Sequence, residues 1–398
     1  MNPATHYRHI PRGVWVLGFV SMLMDISSEM IHSVLPLFLV SVLGLPVLEV
    51  GLIDGVAEAT TQITKAFSGA IADHFGKRKL LTLIGYGLAA ASKPIFPLAH
   101  GLTAVLAARF MDRFGKGIRG APRDALIADM VPDHLRGASF GLRQALDSVG
   151  AVLGPLIAFA LMELTANKFR IAMALAVIPA VLSVVLLARQ VEEKAPIDTN
   201  GRESGRIRWE HLLVLGRPYW VFVGFAALLT LPRFGEAFLL LRAGNVGLNA
   251  GLVPLVYVAM NVVYSLAAFP AGSLSDRMGR RGFIVIGFGM LIVSDVVLAL
   301  APSPLMVFIG AALWGIHLAL TQGVLSAMVA DVAPVRLRAT AFGVFSTATG
   351  CAMLISGLAA GELWDSISAA APFWTAAGVM TAALATFVLV PVVAMKKP

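Results

Sequence analysis

Gly69-Ala-Ile-Ala-Asp73-His-Phe-Gly76-Lys77-Arg78-Lys79 returns about two hundred residues later as Gly272-Ser-Leu-Ser-Asp276-Arg277-Met-Gly279-Arg280-Arg281. Each copy closes one long apolar run, reverses the chain through glycine and sets cations where the next run begins. A second pair keeps nearly the same offset: Ile127-Ala-Asp129-Met-Val-Pro132-Asp-His-Leu-Arg136-Gly-Ala-Ser-Phe140-Gly141 matches Val329-Ala-Asp331-Val-Ala-Pro334-Val-Arg-Leu-Arg338-Ala-Thr-Ala-Phe342-Gly343. Two matched pairs make the chain a duplication.

Working outward, apolar runs fill almost the whole sequence. Of 398 residues 58% are hydrophobic and 14% charged, and the mean hydropathy is +0.82. That composition belongs to an integral membrane protein. Runs of roughly twenty residues, enough to cross about 30 Å of hydrocarbon as helix, recur about twelve times. The approximate spans are 14–42, 46–72, 79–99, 102–124, 136–162, 167–189, 218–241, 250–275, 281–301, 303–328, 338–361 and 370–394. They must be helices, since lipid offers no partner to backbone N–H and C=O groups and the runs are too continuous for barrel strands. The first lacks a short apolar region with a small-residue cleavage site and reads as a retained helix.

The fold expected is therefore an all-α membrane protein of twelve transmembrane helices in two pseudo-symmetric six-helix halves, residues 1–189 and 218–398. The hydrophilic stretch 190–217, rich in both charge signs, reads as a linker between them. The net charge of +8 could suggest nucleic acid, but Arg8, Arg12, Lys77, Arg78, Lys79, Arg136, Arg277, Arg280, Arg281, Arg336, Arg338, Lys396 and Lys397 all fall on one side of this threading. That asymmetry puts both termini in the cytoplasm. Connections on the other side, such as Ala301-Pro-Ser-Pro304 and Gly361-Glu-Leu-Trp-Asp365, hold almost no lysine or arginine. The single cysteine, Cys351, excludes an internal disulfide and a thiolate metal cluster.

The repeated turn, Gly-x-x-x-Asp-x-x-Gly followed by two basic residues, resembles the signature of the major facilitator superfamily, and the resemblance covers essentially the whole chain. The second copy meets it fully, and the first carries His74 where arginine is usual. Arg109 and Pro122 look like the family's fourth-span motif, with Asp112 and Arg113 where glutamine and glycine are common. Gly150-x-x-x-Gly154-Pro155 resembles the motif of the family's exporters, although Leu156-Ile-Ala158 follows where further glycines are expected. The resemblance implies two halves that rock about a central site. It makes Gly69, Asp73, Gly76, Lys77, Arg78, Arg123, Asp124, Gly272, Asp276, Arg277, Gly279 and Arg280 the gate residues.

Charges at bilayer depth each need a partner, a wet cavity or a task. Asp25, Ser28, Glu29 and His32 step by three and four and share one helix face. Asp54, Glu58, Gln62 and Lys65 repeat the pattern, as do Asp112, Lys116, Arg119 and Arg123, with Arg113 beside them; Arg143, Gln144 and Asp147 follow in span five. The second half is a control. At an offset of 202 the fourth-span stripe becomes Trp314, Leu318, Thr321 and Leu325; at 203, Asp54, Glu58 and Lys65 become Tyr257, Asn261 and Ala268. Holding six helices together evidently does not require the charges. A polar chamber biased to the first half is expected, with Arg233, Glu236, Asn261, Tyr264, His317 and Gln322 from the second.

Asp25, Glu29, Glu58, Asp112 and Asp147 are the proton-coupling candidates, since a carboxyl sheltered from water can take up and release a proton as access alternates. Their alternative is a permanent ion pair, for instance with Lys65 or Arg113. The cavity candidates are His32, Gln62, Lys65, Arg113, Lys116, Arg119, Arg143 and Gln144. For Lys116, Arg119 and Arg123 the choice lies between an anion site and a charge relay locking the inner gate through Asp73, Asp124 and Asp129. Asp25, Glu29 and His32 also have metal-ligand spacing, a pattern that polar helices meet often by chance.

No nucleotide-binding or catalytic constellation appears, so the chain reads as a transporter without cofactor, driven by a proton gradient. The expected function is proton-coupled transport of a small organic solute by alternating access, in the export direction. An importer of an anionic metabolite or chelator complex and a divalent-metal exporter are the alternatives. The partners are solute, protons and lipid, without nucleic acid, and the expectation is a monomer in the cell inner membrane.

Overall fold

The computed structural model describes residues 10–75, 77–192, 215–278, 280–334 and 337–389, so most of the expected linker lies outside the described residues. All regular structure among them is helical. The helices are α1 (Arg12–His32), α2 (Leu35–Ser41), α3 (Val47–Phe75), α4 (Arg78–Ser92), α5 (Ile95–Leu98), α6 (Leu102–Met130), α7 (Asp133–Leu164), α8 (Phe169–Leu175), α9 (Val177–Gln190), α10 (Arg217–Thr230), α11 (Ala237–Asn245), α12 (Pro254–Met278), α13 (Arg280–Leu300), α14 (Pro304–Val332), α15 (Arg338–Ser366) and α16 (Ala371–Leu389). Four pairs run on as single broken segments: α1 with α2, α4 with α5, α8 with α9, and α10 with α11. Pro36, Pro94 and Pro232 stand at three of the breaks, where a missing N–H and ring clash interrupt the helical ladder.

Counting each broken pair once, twelve helical segments follow one another in the described residues. Eight of them are long and apolar enough to cross a membrane by length and composition. The two longest that fall short, α3 and α6, carry the ionisable stripes, which a lipid-facing helix could not tolerate. Gly361 to Asp365, expected as a connection, is instead the last turns of α15.

One compact unit comprises Met1–Val34 and Ile63–Arg206. In it α1 packs on α7 and α9, and α4 packs on α6. Its core draws Val14, Leu17, Val20 and Met24 from α1, Tyr86 and Ala89 from α4, Leu126 and Ile127 from α6, and Ala180 and Leu187 from α9. Those α1 positions recur at three- and four-residue steps, the spacing of one buried helix face.

The other unit comprises Leu35–Gln62 and Ile207–Pro398. There α13 packs on α14 and α16, α12 on α14, and α10 on α15. The first part of α3 lies against α15 at backbone distance: a β-carbon on Gly357 would come within 2.5 Å of the Gly51 carbonyl oxygen, and one on Gly361 within 2.5 Å of Leu48 Cα. Small residues permit this approach where no hydrophobic drive separates helix from lipid. Asp365 at the end of α15 closes the contact, accepting hydrogen bonds from Val47 N (3.1 Å) and Leu48 N (2.8 Å). A carboxylate from another helix thus caps the otherwise open N-terminus of α3.

Candidate functional site

In the first unit the expected stripes converge on a buried ionic network. Lys93, only 1% exposed, donates to Asp112 Oδ1 (2.7 Å) and Ser28 Oγ (2.9 Å). The second oxygen of Asp112 lies 3.7 Å from His32 Nε2, and His32 Nδ1 lies 3.5 Å from Glu29 Oε1. Arg113 Nη2 approaches the same ring at 3.1 Å. Glu29, His32, Asp112 and Lys93 thus form one chain of charge and hydrogen bonds across α1, α4 and α6. Bringing so many charges out of water is tolerable only because nearly every one meets an opposite partner.

Further along α6, Arg119 is 4% exposed, stacks over Tyr86 with 4.4 Å from Cζ to the ring centroid, and reaches Asp25 at 4.0 Å. Arg123 pairs with Asp124 at 3.0 Å and donates to Ser21. Arg143 donates to Asp147 (2.6 Å) and to Gln144 (3.1 Å). Of the partners expected for Arg123, Asp124 is paired with it, while Asp129 pairs with Arg78.

The glycines of the exporter-like motif lie on the acidic face of α1. A β-carbon on Gly150 would meet Met22 O at 2.8 Å and Asp25 Cβ at 3.0 Å, and one on Gly154 would meet Glu29 Cβ at 2.7 Å. Without side chains at these two positions α7 reaches the backbone of α1 beside both carboxylates.

The second unit gathers Asp54, Glu58 and Gln62 of α3 with residues of the later helices. Glu58 and Glu236 act electrostatically on Arg233, and the Asp54 carboxylate packs on Gly235 at the break between α10 and α11. Gln62 packs near Gly350. Tyr264 donates to Gln322 (3.3 Å), and Asn261 lies half-buried on α12. His317 is wholly buried, its Nδ1 2.8 Å from the Gly287 carbonyl, which makes it a link between α13 and α14.

Among the described residues no group of three histidine, cysteine or carboxylate side chains is placed to hold a metal ion. Of the gate residues, Gly76 and Gly279 lie outside the described residues, as do the side chains of Asp73, Asp276, Arg277 and Arg280. Gly69 falls in α3 and Gly272 in α12, while Lys77 stands exposed just before α4.

A sequence model of the Major Facilitator Superfamily matches residues 17–241 and again 234–398. The chain belongs to the Major Facilitator Superfamily. An uncharacterized MFS-type transporter of Methanocaldococcus jannaschii is 31% identical over 363 residues, 90% of this chain and 89% of the relative. An uncharacterized protein of Mycobacterium tuberculosis is 32% identical over 364 residues, 89% and 87% of the two chains. The quinolone resistance protein NorA of Staphylococcus aureus is 30% identical over 175 residues, 44% of this chain and 45% of its own. Among solved structures, the nucleoside transporter NupG superposes with a TM-score of 0.77 at 14% identity, covering 95% of this chain and 98% of its own. A D-xylose-proton symporter gives 0.74 at 16%, covering 97% and 99%. This superfamily member is thus a multi-pass membrane transporter and not an enzyme.

Three charged residues of this Major Facilitator Superfamily chain escape the sequence reading. Lys93 sits alone in the third apolar run, and its position before Pro94 was the available signal. Asp295, 0% exposed in α13, has neither carboxylate oxygen hydrogen-bonded within the described residues. Arg242 donates to the carbonyls of Leu298, Ala299 and Ala301 and to Asn245 Oδ1, closing the C-terminal end of α13. It is a structural cation, binding the backbone groups a helix end leaves open.

Proposed function

We propose that this transporter moves a small organic solute outward across the cell inner membrane in exchange for protons, with both termini cytoplasmic. The observation that carries the reading is the contact of Gly150 and Gly154 with the turns bearing Asp25 and Glu29. It ties the exporter-like motif to two carboxylates at bilayer depth, so that a change in their protonation would bear directly on the α1–α7 crossing. Glu29, 3.5 Å from His32, is bound less closely than Asp112, which Lys93 meets at 2.7 Å. Sequence similarity to a quinolone resistance protein over 44% of the chain supports the outward direction. A proton gradient supplies the driving force, and the gate turns at Asp73 and Asp276 alternate access.

Proteoliposomes test this. Glu29→Gln is expected to abolish accumulation driven by a pH gradient while leaving solute exchange at equal pH intact. Undiminished gradient-driven transport in that variant removes Glu29 from the coupling. Asp73→Asn and Asp276→Asn should each slow the cycle while substrate binding stays measurable.

A further inference from the structure

Several carboxylates among the described residues of the first unit are paired, and two cations on the same helix faces are not. Glu29 has His32, Asp112 has Lys93, Asp124 has Arg123 and Asp147 has Arg143. Lys65 and Lys116, on α3 and α6, form no hydrogen bond or ion pair among the described residues, although both fall inside spans expected from the sequence. An unpaired ammonium at such depth is costly and marks a site by default.

Geometry puts the two lysines at one helix crossing. At the crossing of α3 and α6 a β-carbon on Gly117 would meet Thr64 Cβ at 2.5 Å and Lys65 N at 3.2 Å. Lys65 interacts electrostatically with Lys116, Arg123, Arg143 and Asp124, and Lys116 with Asp25 and Glu29. The surrounding elements α1, α3, α6 and α7 therefore present more cation than anion to this place. Nor do the lysines point at lipid. Phe67 and Phe114 are exposed apolar residues, each two positions from one of the lysines, which at about 100° per residue puts them about 200° round the helix. The phenylalanines take the lipid side and the lysines the polar one. The twin positions of the other half, Ala268 and Leu318, carry no charge, so helix packing does not demand these lysines.

We propose that Lys65 and Lys116, backed by Arg143, bind the anionic group of the transported solute, a carboxylate or phosphate. This rests on the transport reading above and names its substrate class. Two compact ammonium groups, each with three donors and no hydrogen bond among the described residues, match an anion with several acceptor oxygens.

The test uses the full chain in phosphatidylcholine nanodiscs, with melting followed in sodium phosphate, succinate and benzoate at constant ionic strength, and in tetraphenylphosphonium. A ligand bound only by the folded state raises the melting point. At least one anion should do so saturably, and Lys65→Gln and Lys116→Gln should each weaken its apparent affinity about tenfold or more. Both side chains are exposed and unbonded, so the variants should melt near the parent without ligand; Lys116→Arg should retain binding. No saturable effect from any of the three anions, an effect in both glutamine variants equal to that in the parent, or stabilisation by tetraphenylphosphonium alone overturns the proposal. So does a rise seen only when phosphatidylglycerol replaces phosphatidylcholine, which would make the site one for lipid headgroups. Proton flux in proteoliposomes separates the two readings: flux coupled to an organic cation refutes the anion site and leaves antiport standing.

Discussion

Gly154 packs directly on Glu29: a β-carbon at 154 would lie 2.7 Å from Glu29 Cβ and 2.8 Å from the Ile26 carbonyl oxygen. Neither backbone can yield without shifting α1 against α7. Gly154→Val should therefore destabilise the protein by about 1–3 kcal/mol, as overpacking does, and stop turnover. Gly378, with nothing within 4 Å of its added β-carbon, is the control. Gly378→Ala should leave melting and transport near the parent, and equal melting points for the two variants would contradict the close crossing.

Lys93 and Asp112 test the network by a double-mutant cycle. Removing either partner alone leaves a buried charge uncompensated and should cost about 3–5 kcal/mol. Lys93→Met combined with Asp112→Asn should recover much of that loss in thermal unfolding. Additive losses would mean that the two side chains do not depend on each other.

Asp365 is expected to act as a cap on a helix distant in sequence. Asp365→Ala should cost about 0.5–2 kcal/mol, the range for losing an N-cap carboxylate, with Asp365→Asn milder. Hydrogen exchange at the Val47 and Leu48 amides should quicken in the alanine variant, and unchanged exchange there would argue against the cap.

Arg242 separates a structural cation from a transport one. Arg242→Met strips hydrogen bonds from three buried carbonyls and should lower stability by about 3 kcal/mol or more. Turnover per folded molecule should stay near the parent value. A transport defect without loss of stability would assign Arg242 to the solute path instead.

Much of the architecture was legible because hydrocarbon imposes harsh rules. Long apolar runs and repeated basic turns follow from the cost of charge and open backbone in lipid, and both can be read without coordinates. The shared face of Asp25, Glu29 and His32 was equally visible, since helical spacing alone produces it. Lys93 was not, because one lysine in an apolar run looks like a break until its partner on another helix is known. The Asp365 cap was hidden for the same reason, its acceptor and donors lying more than three hundred residues apart.

The sequence by itself determined the spans, the duplication and which half carries charge, since each depends on composition and on periodicity along a single helix. Tertiary structure alone decided which charges are spent on one another. Pairing depends on distances of a few ångströms between side chains of different helices, and these arise from packing. That difference leaves Asp112 bound by Lys93 while Lys65 and Lys116, equally charged in the sequence, carry no hydrogen bond or ion pair among the described residues.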